Sequence, residues 1–310
     1  MDPRAIRQVR SFNRIVAERI GALNDHFLHR NRPMGESRIL WEIGPEGAEI
    51  RTLRTRLSID SGYLSRVLRS LEGQGLVKVR LDREDRRVRR ATLSRAGLRE
   101  RAELDQKSNE LASGILETLS QRQRGALLAA MAEVERLLKG SMVTFAIENP
   151  ATTDAQWCLN QYFAELNQRF ETGFDPALSI SADAKDLSLP HGFLVVARLR
   201  GQPVGCGALK FKDRGFAELK RMWVAASVRG LGVGRRLLED LELRAHKEGV
   251  SVLRLETNRV LIEAIDLYRR SGYKEVKAFN SERYAHHWFE KRLVRPSSAD
   301  CSNAVAIRPI

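Results

Sequence analysis

The chain has 310 residues, 43% hydrophobic and 30% charged, a length suited to two domains of about 150 residues that each bury a core. That composition excludes disordered, collagen-like and low-complexity classes. No apolar run approaches the roughly 18 residues of a membrane span, and the stretch from Met1 to Arg14, with four arginines, lacks the apolar core of a signal peptide. A cytoplasmic protein without membrane attachment is expected. Cys158, Cys206 and Cys301 are far apart and form no Cys-x-x-Cys pair, which argues against a disulfide framework or a structural zinc site. The formal net charge is +14. Residues 51–101 hold 15 basic side chains, 14 of them arginine, against 6 acidic ones, a local net of +9. Such concentration is what a polyanionic partner requires.

From Arg4 to about Leu28 apolar residues recur every three or four positions (Ile6, Val9, Phe12, Ile15, Val16, Ile20, Leu23, Phe27), which predicts an amphipathic helix. A shorter helix is expected over Glu36 to Ile43, and another through Ile50, Leu53 and Leu57. Ser58-Ile59-Asp60 supplies a turn with an N-cap for the next helix. On that helix Leu64, Val67, Leu68 and Leu71 face inward, leaving Ser61, Tyr63, Ser65, Arg66 and Arg69 as the outward, DNA-facing candidates. Tyr63 taken alone also fits a packing role. Gly73 and Gly75 end the helix. Leu76 to Arg80 and Val88 to Leu93 alternate as two strands around the charged turn Leu81 to Arg87, where Arg83, Arg86 and Arg87 are candidates for phosphate or minor-groove contact.

This segment resembles the MarR family of winged-helix regulators, through Leu71-Gly75-Leu76-Val77, the wing Asp82 to Arg87 and the exit Thr92-Leu93-Ser94-Arg95-Ala96-Gly97. Arg83 stands where the family often has proline. The resemblance covers roughly residues 5–140 and implies a homodimer through the first and last helices, here Ser94 to Ser120 and Gln121 to Lys139 at the C-terminal end. Two recognition helices would then read a pseudo-palindromic double-stranded operator.

Met142 to Ile147 reads as a strand and Asp154 to Glu171 as a helix. Gly192 to Leu199, Val204 to Phe211 and Phe216 to Val224 follow as an antiparallel meander with turns at 200–203 and 212–215. The last strand runs into Arg229-Gly230-Leu231-Gly232-Val233-Gly234 and a helix from Arg235 to Glu248. Strand, glycine turn and helix form an anion site, because glycine lets the backbone approach a phosphate and the first helical N–H groups have no internal partner.

With Val252 to Thr257 and the run Ala264-Ile265-Asp266-Leu267-Tyr268 to Gly272-Tyr273, the second half resembles the GNAT superfamily of acetyl-CoA-dependent N-acetyltransferases over about residues 143–293. The resemblance implies a mixed α/β sheet splayed between the fourth and fifth strands of that domain. Acetyl-CoA would enter as acyl donor, its pantetheine along Met222, Trp223 and Val224 and its pyrophosphate on Arg229 to Gly234. Tyr268 is the implied general acid, and Glu218 is the candidate base. Asparagine is missing at Leu261, so Asn258 is the candidate replacement contact, and Ala226 stands where many members have proline.

The expected organisation is therefore a mainly α winged-helix domain over 1–141, a GNAT-like α/β domain over 142–295 and a tail over 296–310. The expected function is a DNA-binding regulator that also transfers acetyl to a small-molecule amine. Two alternatives are a regulator whose second domain senses acyl-CoA without turnover, and a protein lysine acetyltransferase recruited to DNA. No metal is expected, since no His, Asp or Glu cluster has ligand spacing.

Overall fold

Asp2 opens the first helix by accepting from the Arg4 N–H at 2.9 Å, and Pro3, whose missing N–H costs nothing at a helix start, begins α1 (Pro3–Arg19). A computed structural model describes residues 2–82, 85–180, 182–212 and 215–293. Arg83 of the wing, residues 213 and 214 of the expected 212–215 turn and the 296–310 tail lie outside the described residues. The chain divides into two compact units, one up to Ala132 and one from Glu133 onward.

In the first unit, α1 is shorter than its apolar periodicity predicts. Gly21 adopts φ +65° just beyond the C-cap Ile20 and ends the helix before Leu23 and Phe27 can join it. α2 (Met34–Ile43), the two-residue β1 (Ala48–Glu49), α3 (Ile50–Leu57) and α4 (Ser61–Gly73) follow. Ser58 turns the chain at φ 53°, and the Asp60 carboxylate caps α4 by accepting from the Tyr63 N–H at 2.8 Å. Leu64, Val67, Leu68 and Leu71 of α4 meet Ile39, Leu40 and Ile43 of α2 and Leu53 of α3 in one buried cluster. β2 (Val77–Leu81) and β3 (Arg89–Leu93) pair antiparallel as the wing.

The sheet has three strands, not the expected two, because β1 adds to β3 with Ala48 opposite Ala91. Arg90 fixes that edge by donating to the Glu46 carbonyl at 2.9 Å. A two-residue strand is too short to leave a periodic signal. Ser94 caps α5 (Arg95–Glu117) by accepting from the Gly97 N–H at 3.0 Å, and α6 (Gln121–Ser141) follows. Glu100 of α5 is almost wholly buried and anchors the loop after α1, accepting from Arg30 Nη2 at 2.6 Å and Nε at 3.0 Å. No residue of α1 is buried, and its apolar face (Val9, Phe12, Ile15, Val16) lies open.

The second unit is built on a seven-stranded sheet. β4 (Thr144–Glu148), β5 (Gly192–Leu199), β6 (Gln202–Phe211) and β7 (Phe216–Val224) pair antiparallel in sequence order. β8 (Val252–Thr257) joins β7 in parallel, while β9 (Lys274–Val276) and β10 (His287–Arg292) complete the order β4-β5-β6-β7-β8-β10-β9. Strand alternation divides the core. Phe193 and Val195 of β5 pack under α8 (Val233–Lys247) and α9 (Ile262–Arg270), whereas Leu194 and Val196 pack under Ala155, Cys158 and Leu159 of α7 (Thr153–Arg169). Cys158 and Cys206 are buried free thiols on the α7 side.

Candidate functional site

Antiparallel pairing carries β6 along β7 as far as Val224, but parallel pairing between β7 and β8 ends at Glu218 opposite Arg254. Beyond that pair the two strands part, and their unpaired halves open a cleft. Leu219, Lys220, Arg221 and Met222 line it from β7, Glu256 and Thr257 from β8, Tyr162, Leu166 and Phe170 from the α7 side, and Tyr268 from α9. The divergence is accompanied by a break in β-geometry. The register with β6 shifts between Cys206 and Ala208, and Arg221 sits at φ 56°, a left-handed conformation unusual for a residue with a side chain.

At the far end of β7 the chain makes a short 3-10 turn over Ala226–Val228 and then the glycine run. Gly230 (φ +75°) and Gly232 (φ +73°) need the left-handed conformation, and Gly232 is the N-cap of α8 without any side-chain cap. The backbone N–H groups of Val233, Gly234 and Arg235 therefore start a fifteen-residue helix whose dipole favours an anion there. Gly234 is already helical, and a Cβ placed on it would meet only ordinary contacts at 3.6 Å or more. Val233 is buried in the core and offers a ligand its backbone alone. Arg136 donates to the Gly230 carbonyl and steadies the loop.

Arg229 is not free to wrap a phosphate. It donates through Nε to the Val224 carbonyl at 3.0 Å and forms an ion pair with Glu165, which also accepts from Trp223 Nε1 at 2.8 Å. These bonds tie the end of β7 to α7 and hold the Glu165 carboxyl below the ordinary range, Arg229, Trp223 and Arg169 together outweighing burial. Asn258, the candidate replacement contact, donates to the Tyr284 carbonyl at 2.8 Å and accepts from the Val260 N–H at 3.0 Å. Its amide shapes the loop after β8, and the residue lines the cleft.

Glu218, the base candidate, lies on β7. It sits at the closed end of the strand pair, buried, 3.4 Å from Lys220 Nζ and 3.6 Å from Lys212 Nζ, and it does not line the cleft. The carboxylate that does is Glu256, ion-paired across the opening to Lys220. Sequence reasoning missed it, although Arg254 and Glu256 alternate with the buried Leu253 and Leu255 along β8. A second carboxylate at the cleft, Glu282, ties its own loop to the segment at 179–180, accepting from the Ile180 N–H at 2.6 Å, Ser179 Oγ at 2.9 Å and the Tyr284 N–H at 3.2 Å. Tyr268 lines the cleft, and burial pushes its phenol well above the ordinary tyrosine range. Tyr162, which sequence reasoning also missed, is raised by burial, with the nearby Arg221 charge opposing the shift.

In the first unit Ser61, Ser65, Arg66 and Arg69 project from the open face of α4, and Arg86 and Arg87 stand exposed at the wing. Tyr63 does not join them. It is half-buried against the α2–α4 cluster, with its hydroxyl where a Cβ on Gly35 would fall, 2.1 Å away.

A family model described as the MarR family matches residues 31–88, and one described as the acetyltransferase (GNAT) family matches residues 159–273. The chain is a MarR–GNAT fusion. Its GNAT half is 36% identical over 134 residues, 43% of this chain and 85% of the relative, to a protein of Azospirillum brasilense named IAA acetyltransferase. An N-acetyltransferase of Schizosaccharomyces pombe is 35% identical over 92 residues, 29% of this chain and 56% of that protein. A GNAT-family acetyltransferase structure from Staphylococcus aureus aligns with 49% of this chain and 99% of its own at 18% identity and a TM-score of 0.43. The GNAT half is an N-acetyltransferase domain. Among the described residues no helix is long and apolar enough to cross a membrane, and no group of three or more His, Cys, Asp or Glu side chains could hold a metal ion.

Proposed function

We propose that the fusion is a cytoplasmic DNA-binding regulator whose GNAT half transfers acetyl from acetyl-CoA to a small-molecule amine by direct attack. The observation that carries the enzymatic part is the end of β7–β8 pairing at Glu218, which opens a cleft holding both Glu256 and Tyr268. Acetyl-CoA fits as donor because the open β7 edge presents unpaired backbone to a pantetheine arm and the uncapped α8 N-terminus suits a pyrophosphate. Direct attack requires a neutral amine. Glu256 receives the proton of the attacking nitrogen, with Lys220 beside it holding the carboxylate in place. The Tyr268 phenol, kept protonated by burial, donates to the departing thiolate. Arg229, bonded to Val224 and Glu165, positions the strand end and the loop entrance.

For the MarR half, α4 enters the major groove while the wing arginines meet the backbone or the minor groove. The unburied apolar face of α1, with exposed Leu128 and Met131 on α6, pairs two copies into the homodimer that a palindromic operator demands. Incubating the purified protein with acetyl-CoA and an amine panel while following free thiol tests the enzymatic reading. Tight acetyl-CoA binding with no thiol release for any amine would instead support a sensor.

A further inference from the structure

We propose that the acceptor amine carries a carboxylate on an apolar or aromatic body, in the manner of a free aromatic amino acid, and that Arg221 is its specificity-determining residue. The inference rests on the acetyl-transfer reading above and specifies its second substrate. Of the charged side chains lining the cleft, Lys220 pairs with Glu256 and also lies 3.4 Å from Glu218, and Glu282 is spent on three donors, Ser179, Ile180 and Tyr284. Arg221 alone is left over. Among the described residues no carboxylate lies within 4.0 Å of it, and its hydrogen-bond partners are the Tyr162 side chain and, at a long 3.5 Å, the Ala182 carbonyl.

Its guanidinium instead lies over aromatic rings, 4.7 Å from the centroid of Phe163, which with Arg221 borders a neighbouring cavity, and 5.7 Å from that of Tyr162, a ring that lines the cleft. The positive φ of 56° places this side chain at the point where β7 leaves its regular register. A half-buried arginine with most of its five donors unused is a seat for a planar anion, and a carboxylate matches its fork in two parallel bonds.

The remaining wall is apolar. Phe170, Phe174 and Tyr284 line the same cleft with ring centroids 4.9 to 5.8 Å apart, a continuous aromatic surface suited to an apolar or aromatic side chain. One anion seat, one carboxylate able to take an ammonium proton and one aromatic wall together describe an amino acid. A polyamine would set a second cation against Arg221.

Calorimetry on the full-length protein with N-acetyl-L-phenylalanine and with N-phenethylacetamide, which differ only in the carboxylate, reads the seat without requiring turnover. The carboxylate ligand should bind about tenfold more tightly or better, Arg221→Gln should abolish the difference, and Arg221→Lys should keep part of it. Circular dichroism and acetyl-CoA affinity of the variants report folding, and if neither folds the wild-type comparison decides alone. Equal binding of the two compounds, or failure of both to bind, overturns the proposal. So does phenethylamine releasing thiol from acetyl-CoA as fast as L-phenylalanine. Discrimination in binding without thiol release from any amine upholds the anion seat while refuting acetyl transfer.

Discussion

Lys220 of β7 and Glu256 of β8 form an ion pair across two strands that have ceased to share ladder hydrogen bonds. Both side chains are buried, so each carries the desolvation cost that the other offsets. The pair thus places a carboxylate at the cleft. Glu256→Gln should lower kcat/KM for the amine by about 10²- to 10⁴-fold, the usual worth of a positioned base, while acetyl-CoA affinity stays near wild type. Glu218→Gln should leave kcat within a small factor. Thiol-release kinetics on both variants check the assignment, and the opposite ranking would return the role to Glu218.

Tyr268→Phe retains the ring that packs near Tyr273 and Phe289 and removes only the hydroxyl. The expected result is a fall of about 10²-fold or more in the single-turnover rate with unchanged acetyl-CoA binding. Because burial raises the phenol's pKa, the acid form persists to higher pH than in a free tyrosine, and no alkaline loss of activity below about pH 10 should trace to this group. A pH–rate profile whose alkaline limb vanishes in Tyr268→Phe would contradict that.

Much of the framework around this site is legible in the sequence. The meander, the glycine run and the Tyr268 helix carry strong period-2 or period-3.6 patterns, and their placement depends mainly on local sequence. Which carboxylate lines the cleft was not legible, because both Glu218 and Glu256 sit at alternate polar positions of neighbouring strands. Only the residue at which parallel pairing stops, Glu218 opposite Arg254, decides which of them faces the opening. Arg221 was hidden for a related reason. Its positive φ and the shifted register between Cys206 and Ala208 break the alternation that sequence reading assumes. In the MarR half, β1 was lost to its shortness, and α1 was overextended because Leu23 and Phe27 keep a helical period past Gly21.

The glycine loop yields a paired test. Gly232 holds φ +73° with nothing within 4 Å of its would-be Cβ, so Gly232→Ala meets backbone strain and no steric block, at about 1 kcal/mol or more. Gly234→Ala meets ordinary contacts to Leu267 and Val224 in a helical conformation. Acetyl-CoA affinity measured by calorimetry should therefore fall further for Gly232→Ala. A larger loss at Gly234 would mean that close approach of the ligand, not loop conformation, dominates.

Stability of the MarR half should depend on pH through Glu100. Hydrogen bonding from Arg30, followed by the charge of Arg32, holds its carboxyl below the ordinary range despite the burial that opposes it. A depressed folded-state pKa contributes stability above the unfolded pKa of about 4, and that contribution disappears as pH falls through the folded value. Glu100→Gln should cost about 1.5–3 kcal/mol at pH 7. The gap between wild type and variant should shrink as denaturation is repeated from pH 6 down to pH 3, and a gap independent of pH would assign the loss to packing.

DNA binding separates into two kinds of contact. Arg86 and Arg87 stand exposed beside the turn in which Arg87 N–H donates to Asp85 at 2.9 Å, so the turn orders their backbone while their guanidinium groups stay available. Phosphate contacts release counterions, and each contact contributes about 0.9 to the slope of log affinity against log salt. The Arg86→Ala, Arg87→Ala double variant should therefore bind all sequences more weakly and reduce the slope by about 2 per protomer. Arg66 and Ser61 lie on the open face of α4, where base edges are read in a helix-turn-helix. Arg66→Ala should lower affinity for the preferred operator by about 1–3 kcal/mol and relax the preference at one position in each half-site. Selection of bound sequences from a random pool, followed by salt titrations on the best site, checks both statements. An unchanged salt slope in the wing variant would remove the wing from the interface, and an unchanged sequence preference in Arg66→Ala would move base reading elsewhere on α4.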